Sequence, residues 1–442
     1  MQSIWERAEN ALAFVEPVAM RGEVVDVTGL VIEAHGPAVG LGAICSIQQG
    51  DIRLLAQVVG FRKNRILLMP FGEMHGISPG AQVVSEEHRS GVIVSNDLLG
   101  RVISATGEPL DGKPPVVGGK EVPLYREPPH ALSRRRITEE FDLGMKSVNT
   151  LLTIGKGQRV AIMAGSGVGK STFLGMIARH ARGSVNVIAL VGERGREVRE
   201  FIERDLGPEG MARSVVVVAT SDASPLVRIR AAFTATAIAE YFRDQGEDVS
   251  LMLDSVTRFC MAQREIGLAV GEPPSASGYT PSVFALLPKL LERAGTTAGK
   301  GSITGFYTVL VEGDDMNEPI ADAVRGILDG HIVLSRALAG RGHYPAIEVL
   351  QSVSRVMTDI VKPERVKLAQ LARRTLADYR EVEDLITIGA YKEGQNKRAD
   401  FAVRYIETLR AFLTQTPEEK FSMGQSVEML TNIYAKELAG GL

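Results

Sequence analysis

The fold of this 442-residue chain is decided by the sequence AGSGVGKS at residues 164–171. It follows an apolar, strand-like run at residues 159–163 and precedes a helical pattern that begins near Phe173. Glycines let several backbone N–H groups converge on an anion, and the N-terminus of the next helix adds partial positive charge. The stretch therefore predicts a phosphate-binding loop between a strand and a helix.

Such a loop assigns roles to its polar side chains. Lys170 would reach the β- and γ-phosphates of ATP, and the Ser171 hydroxyl would hold Mg²⁺. The first position is Ala164 where the strict pattern has glycine. The alternative is a glycine-rich turn with a merely exposed lysine, which the regular strand and helix on either side disfavour. The residues predicted to bind the nucleotide here are Gly165, Ser166, Gly167, Val168, Gly169, Lys170, Ser171 and Thr172.

Apolar runs alternate with helical patterns on both sides of this loop. This alternation indicates a parallel sheet with crossover helices, hence an α/β nucleotide-binding domain over residues 93–360. The predicted strands are at residues 159–163, 186–191, 215–219, 249–254 and 302–310, and the predicted helices at 226–242 and 320–328.

The segments on either side of this domain have different residue patterns. Residues 21–92 alternate short β-branched runs with glycine, which predicts a small β-barrel. Residues 361–442 show apolar positions at helical spacing, which predicts a C-terminal helical domain. Residues 1–20 predict an amphipathic helix that either binds a partner or caps the barrel. The glycine- and proline-rich residues 107–119 are interpreted as a connector between domains.

Composition narrows the class of protein. The formal net charge is −3, with 50 basic and 53 acidic residues, so no global field attracts nucleic acid or anionic lipid. The apolar runs are shorter than the roughly 20 residues of a membrane-spanning helix. Only Cys45 and Cys260 are present, far apart, which favours a reducing compartment. We expect a cytoplasmic protein with no integral membrane segment and no nucleic-acid partner.

Two carboxylates complete a hydrolytic site. Asp254 ends a predicted strand, where parallel sheets hold ligands, and can fix Mg²⁺. Glu193 follows another strand and can polarise the attacking water. Taken singly, Asp254 could be a turn-forming aspartate and Glu193 a surface ion-pair partner.

These motifs together resemble a known family. GER at 192–194, the phosphate loop, Asp254 and YTPS at 279–282 look like the catalytic subunits of rotary ATP synthases and their export-ATPase relatives. LGRV at 99–102 with GEPLDG at 107–112 extends the resemblance, which runs from about residue 21 to near the C-terminus. It implies a RecA-like nucleotide-binding domain between an N-terminal β-barrel and a C-terminal helical domain.

Further stretches resemble the type III secretion ATPases within that family. They are GEPP at 271–274, AG at 294–295, DDMNEP at 314–319 and GHYPA at 342–346. DLITIGAY at 384–391 lacks the acidic loop of synthase catalytic subunits, and GAY followed by Gly394 is closer to flagellar than to injectisome members.

The resemblance also implies roles for residues outside the loop. Arg258 would contact the γ-phosphate, and Arg355 would be an arginine finger that reaches a neighbouring subunit's nucleotide. Tyr344 would stack near adenine, with Phe421 as a further candidate. The alternatives are an ion-pair partner for Arg258, an interface arginine for Arg355 and a core aromatic for Tyr344. A chain that carries both Glu193 and Arg355 can form a homohexameric ring by itself.

The implied function is ATP hydrolysis by this ring, which energises export of flagellar proteins and release of their chaperones. The N-terminal helix would bind a stator-like regulatory protein, and the C-terminal domain would meet chaperone–substrate complexes and the export gate. The protein would lie peripherally at the cytoplasmic face of the inner membrane. The cofactors would be ATP and Mg²⁺.

Other functions stay open at this point. An injectisome ATPase is the main alternative, and a rotary-synthase catalytic subunit is a weaker one. An RNA-translocating helicase would need aromatic and basic positions in the barrel, where Phe61, Phe71, Arg65 and residues 62–63 make no convincing track. An inactive structural subunit would lack the base or the loop lysine, and both residue types are present.

Overall fold

The computed structural model describes residues 20–86, 91–311, 313, 315–435 and 437. The amphipathic helix predicted at residues 1–20 lies outside the described residues except for Met20. None of the described helices is long and apolar enough to cross a membrane.

The first part of the chain is a closed six-stranded barrel, as predicted. Short runs rich in β-branched and other apolar side chains supply its strands, and Ile32, Ile47 and Leu68 fill its interior. Hydrogen bonds follow the order β1-β2-β5-β4-β3-β6, and β6 pairs with β1 to close the ring. The strands are β1 (Arg21–Thr28), β2 (Val31–His35), β3 (Ile44–Gln49), β4 (Ile52–Arg62), β5 (Arg65–Pro70) and β6 (Gln82–Ser85).

The chain enters the second domain through three short strands. β7 (Gly91–Val94) pairs with β9 (Lys120–Pro123), while β8 (Arg101–Ser104) joins the edge of the central sheet. The glycine- and proline-rich residues 107–119, interpreted above as a connector between domains, therefore follow the first strand of the central sheet and do not precede it.

The central sheet confirms the predicted α/β architecture. Its strand order is β19-β18-β12-β17-β15-β13-β14-β8, with β16 paired to β17 outside this path. In this spatial order, every neighbouring pair of strands from β18 to β8 is parallel. β19 pairs antiparallel with β18, and β16 pairs antiparallel with β17. The strands are β12 (Arg159–Ala164), β13 (Val185–Glu193), β14 (Ser214–Thr220), β15 (Asp248–Asp254), β16 (Gly295–Thr296), β17 (Ser302–Leu310), β18 (Gly330–Leu334) and β19 (Val353–Ser354), with β10 (Glu140–Phe141) and β11 (Ile154–Gly155) as a separate pair.

Helices cover both faces of this sheet and form the C-terminal domain. A π-helical segment, Phe201–Leu206, lies between two of them. The helices are α1 (Lys146–Leu151), α2 (Lys170–His180), α3 (Gly195–Glu200), α4 (Gly207–Ala212), α5 (Pro225–Asp244), α6 (Val256–Val270), α7 (Pro281–Leu291), α8 (Pro319–Ile327), α9 (Arg336–Gly340), α10 (Met357–Ile360), α11 (Pro363–Thr387), α12 (Lys397–Leu413) and α13 (Met423–Ile433).

The C-terminal helices share a core with the nucleotide-binding domain. Leu368, Leu409 and Leu430, one from each of α11, α12 and α13, belong to the same buried cluster as Val148 of α1. The helical domain is therefore packed directly on the turn and helix at residues 144–151. Gly389, with φ of 73°, lies just after the end of α11, where glycine commonly ends a helix.

A buried ion pair in the nucleotide-binding domain joins helix α5 to the residues that follow α7. Arg293 is fully buried and donates to both carboxylate oxygens of Glu240 on α5, at 2.9 and 2.7 Å. A further guanidinium N–H donates to the carbonyl of Leu124. Burial removes the water that would otherwise hydrate both charged groups. The bidentate pair and the extra carbonyl acceptor replace most of the hydrogen bonds that are lost with this water.

Candidate active site

The loop predicted to bind phosphate connects the buried strand β12 to helix α2. Gly167 and Gly169 have φ of 77° and 89°, a backbone conformation that glycine adopts without strain. Val168 points into the core and is 1% exposed, which anchors the loop from below. Residues 165–170 thus turn sharply into the N-terminus of α2, where backbone N–H groups have no partner within the helix.

Lys170 lies between the two predicted carboxylates. Its Nζ is 3.1 Å from Oε1 of Glu193 and also contacts Oδ1 of Asp254. Glu193 ends β13 and Asp254 ends β15, which are neighbouring parallel strands, so their carboxyl ends meet at the same edge of the sheet. Thr308 on β17 donates to Oδ1 of Asp254 at 2.7 Å and fixes that side chain.

Burial and charge shift the pKa values of this cluster. Burial lowers the pKa of Lys170, but the carboxylates of Asp254 and Glu193 outweigh burial and hold the pKa above its ordinary value. Burial raises the pKa of Glu193, and its interaction with Glu197 raises it further, while Lys170 opposes both without cancelling them. Glu193 is thus a stronger base than an exposed glutamate.

Arg258 points into the same site from the first turn of α6. The Ser255 hydroxyl caps this helix by accepting the backbone N–H of Arg258 at 3.3 Å. Nε of Arg258 is buried and has no hydrogen-bond partner within the described chain. An unpaired guanidinium N–H beside a phosphate loop suits an anionic ligand.

A cavity of about 690 Å³ opens over these residues. Asp254 does not line it directly, and it reaches the site through its contact with Lys170. The remaining predicted phosphate-site residues do line it, apart from Val168. Its walls consist of residues 164–167, 169–172, 192–194, 197, 204, 221, 258, 310–311, 313 and 336.

A second cavity of about 410 Å³ lies on the other side of the loop and is mainly apolar. Tyr344 lines it, and a Cβ atom placed on Gly169 would be 3.5 Å from the Tyr344 ring. An apolar slot with an aromatic side chain next to a phosphate loop suits a purine base. The other wall is formed by residues 414–417, from the link between α12 and α13.

Two predicted site residues lie away from these cavities. Phe421 lines neither of them, and its ring packs 4.7 Å from Nζ of Lys146. Arg355 is exposed just after the edge strand β19, and its Nη2 donates to the carbonyl of Arg325 at 3.0 Å. At this position Arg355 lines neither of the two cavities.

Sequence reasoning missed several residues that the fold brings to the site. Arg194, Glu197 and Arg204 line the larger cavity, and Thr308 orients Asp254. Arg194 adjoins Glu193 and could have been found from the GER motif. Glu197 reaches the site because the helix α3 directly follows Glu193, and Thr308 does so because β17 pairs with β15, and neither residue lies in a recognisable motif.

Comparison with known proteins gives three matching family domains along the chain. Residues 24–86 match the ATP synthase alpha/beta family, beta-barrel domain, and residues 144–354 match the ATP synthase alpha/beta family, nucleotide-binding domain. Residues 361–432 match the T3SS EscN ATPase C-terminal domain. The C-terminal match is thus to a secretion ATPase.

Individual relatives cover almost the whole chain. The flagellum-specific ATP synthase of Bacillus subtilis is 54% identical over 94% of this chain and 95% of its own length. The type 3 secretion system ATPase of Xanthomonas euvesicatoria is 49% identical over 96% of each chain.

A solved structure shows the same fold. The assembled ATPase EscN from the enteropathogenic E. coli type III secretion system superposes with a TM-score of 0.89, at 44% identity, over 93% of this chain and 99% of that one. The chain therefore belongs to the ATP synthase alpha/beta family, in the group that contains the flagellum-specific ATP synthases and the type III secretion system ATPases.

Proposed function

We propose that this chain is the ATPase of a flagellar protein-export apparatus and hydrolyses ATP in the larger cavity. The observation that carries the proposal is the convergence of Lys170, Glu193 and the unpaired Nε of Arg258 at one phosphate loop. The 54% identity to a flagellum-specific ATP synthase over nearly the full length supports the flagellar assignment.

Charge neutralisation is the first task of the site. A bound triphosphate would offer its oxygens to Lys170 Nζ and to Nε of Arg258, which has no protein acceptor. The transition state spreads negative charge over the γ-phosphoryl oxygens, so cations held in place before reaction stabilise it. The loop N–H groups at the start of α2 add to this effect.

Water activation is assigned to Glu193. Once a phosphate oxygen takes over the Lys170 ammonium, Glu193 loses the neighbour that opposes its raised pKa. The carboxylate then becomes a better proton acceptor for a water aligned with the γ-phosphorus. In phosphoryl transfer to water, the protein mainly positions the reactants and forms no covalent bond with them.

The donors present fit Mg²⁺ bound together with the nucleotide. Ser171 and Asp254 offer the hard oxygen ligands that this ion prefers. Within the described residues, no group of three or more histidine, cysteine or acidic side chains could hold a metal alone. Held by Ser171 and Asp254, the ion would supply positive charge against the negative charge that develops on the phosphate.

Arg355 is proposed to complete catalysis between subunits. It lies exposed at the edge of the sheet, away from its own chain's cavity, which supports a role at the site of a neighbouring copy in a homohexamer. An arginine finger supplied in this way is worth about 10³–10⁵ in rate. A lone chain would therefore hydrolyse ATP slowly.

The remaining assignments follow the family. We propose domain limits near residues 20, 92 and 360, a stator-like partner for the N-terminal segment, and chaperone–substrate complexes and the export gate for the C-terminal helices. The related EscN has been solved in complex with its central stalk EscO, which supports a stalk-like partner here. The protein would work in the cytoplasm, peripherally at the inner membrane.

An injectisome ATPase is the second candidate, because the Xanthomonas euvesicatoria relative is 49% identical. The test is a chromosomal Glu193→Gln allele in the organism that encodes this chain, with secretion of hook protein and flagellin measured beside motility. Loss of both is expected, and Glu203→Gln, an exposed carboxylate nearby, is the matched control. Normal motility with secretion of other proteins lost would favour the injectisome.

A further inference from the structure

Gln415 is a buried polar residue that the proposed chemistry does not use. It lies in the link between α12 and α13, is 3% exposed, and belongs to the wall of the apolar cavity beside Tyr344. A buried amide in such a link is costly unless each of its polar atoms has a partner. Its partners therefore show which segments it joins.

The side-chain amide and the backbone N–H of Gln415 all have hydrogen-bond partners. The side-chain N–H groups donate to the carbonyls of Gly144 and Glu419 at 2.9 and 2.8 Å. Its Oε1 accepts the backbone N–H of Lys146 at 3.0 Å, and its own backbone N–H donates to the carbonyl of Tyr344 at 2.8 Å. One residue thus joins three segments that are far apart in the sequence.

One of these contacts caps a helix from a distance. Lys146 is the first residue of α1, and the preceding Met145 makes no side-chain cap. The N–H groups of a first turn lack partners within the helix, so Gln415 satisfies one that would otherwise stay unpaired and buried.

The geometry also fixes what Gln415 does not do. Both of its amide donors are used on the protein, so neither is free to read the edge of a base. Its effect on a base in the cavity therefore passes through Tyr344 and through the backbone of residues 414–417. Gln415 therefore acts by fixing the positions of Tyr344 and residues 414–417, which line the cavity, and not by contacting the base.

We propose that Gln415 is a positioning residue for the nucleotide base and that it joins the base cavity to helices α12 and α13. The inference rests on the proposed nucleotide site. A base bound between Tyr344 and residues 414–417 restricts the motion of the start of the α12–α13 link. Through its hydrogen bonds, Gln415 extends this restriction to Gly144 and Lys146, on which the C-terminal helices pack. A ligand with a base should steady the C-terminal helices, whereas one with phosphates alone should not.

The experiment compares ADP with magnesium pyrophosphate, which reaches the phosphate loop but has no base. Gln415→Glu keeps the acceptor for Lys146 but loses both donors, and it sets a carboxylate against two carbonyls. We expect the Kd for ADP to rise about tenfold, as the loss of one to two hydrogen bonds implies. The Kd for pyrophosphate should stay unchanged. Gln395→Glu makes the same change on an exposed loop and is the control.

Turnover adds a second readout. In Gln415→Glu the KM for ATP should rise with kcat nearly retained, because the catalytic groups near the phosphates keep their places. A parallel loss of affinity for ADP and pyrophosphate would overturn the inference, and so would unchanged affinity for both. If the unsubstituted protein binds neither ligand, the proposed function itself fails.

Hydrogen exchange decides the question even if Gln415→Glu does not fold. In the unsubstituted protein, saturating ADP should slow amide exchange in α12 and α13, and saturating pyrophosphate should not. Equal slowing by both ligands, or no slowing by ADP, would overturn the proposal.

Discussion

Arg258 packs its side chain directly against the backbone of Gly192. A Cβ atom at Gly192 would lie 2.8 Å from the Cβ of Arg258, and Gly192 has φ of 73°. This contact occurs where a bulge interrupts the pairing of β13 with β14, just before Glu193. One glycine thus allows both the base and the guanidinium to converge on the cavity.

The contact predicts that Gly192→Ala impairs catalysis more than folding. The added methyl group must push Arg258 aside, and the backbone conformation disfavours alanine. A displacement near 1 Å in a catalytic group can cost about a hundredfold, so kcat/KM should fall by roughly that factor. Gly195→Ala, which has open space around its Cβ position, should retain activity. Equal activity of the two variants would contradict this account.

The raised pKa of Glu193 predicts the pH dependence. A base works only when ionised, so kcat/KM should fall with decreasing pH, with a midpoint above the ordinary glutamate value of about 4.3. Burial is the main cause and Glu197 adds to it, so Glu197→Gln should move this midpoint to lower pH. The control is the exposed Glu200→Gln. An unmoved midpoint, or one at higher pH, would show that Glu197 does not tune the base.

Arg355 predicts that activity depends on assembly. Specific ATPase activity should rise steeply with protein concentration, and Arg355→Ala should remove the rise, with a loss near 10³-fold at high concentration. Arg355→Lys should recover little, because lysine lacks the planar, forked donor set. Sedimentation of each variant separates lost catalysis from lost assembly. Flat activity in every variant would mean that each chain works alone.

The two aromatic residues predicted to lie near adenine should behave differently. Stacking on a base is worth about 1–3 kcal/mol, so Tyr344→Ala should raise the KM for ATP by roughly five- to a hundredfold. Tyr344→Phe should leave KM nearly unchanged. Phe421→Ala should leave KM unchanged and lower the free energy of unfolding by at least about 1 kcal/mol, because its ring packs on Lys146. A raised KM in Phe421→Ala would bring Phe421 back into the site.

The buried pair of Arg293 and Glu240 predicts a large effect on stability. Arg293→Met leaves the buried Glu240 carboxylate with only a long ion pair, 3.6 Å, to Nη1 of Arg126, and should lower the free energy of unfolding in urea by about 3–5 kcal/mol. The double variant with Glu240→Leu should recover most of that loss, because an apolar pair can replace a buried ion pair. Arg199→Met removes an exposed pair with Glu203 and should change unfolding little. Additive losses in the double variant would contradict this account.

Local residue patterns are sufficient to predict most of the long strands and helices of the fold. The predicted strand at residues 302–310 has the same limits in the structure, and the predicted helix at 226–242 lies within α5. These segments have strong apolar periodicity and clear boundaries, so propensity and packing agree. The short strands β8 and β18 are not predicted from the sequence, because runs of four and five residues give a weak periodic signal.

Residue chemistry and spacing make only the phosphate side of the site accessible from the sequence, and on the base side Tyr344 is predicted from the family resemblance. The loop, Glu193 and Asp254 lie in or beside motifs whose chemistry dictates residue type and spacing. The wall around Gln415 comes from a link about 250 residues further on, brought in by the packing of the C-terminal helices on α1. Spacing along the chain carries no record of such a contact. Phe421, a candidate from resemblance alone, packs on Lys146 and lines neither cavity.

Closure of the N-terminal barrel bears on how several copies of this chain can coexist. In a ring, these domains would be held side by side at very high local concentration, where unpaired strands tend to join and template irreversible aggregation. The pairing of β6 with both β1 and β3 leaves no open edge among the six described barrel strands. Contacts between barrels must then be made by side chains, which can be broken again. Dissociation and reassembly of a ring would therefore expose no barrel strand edge to pairing with another copy.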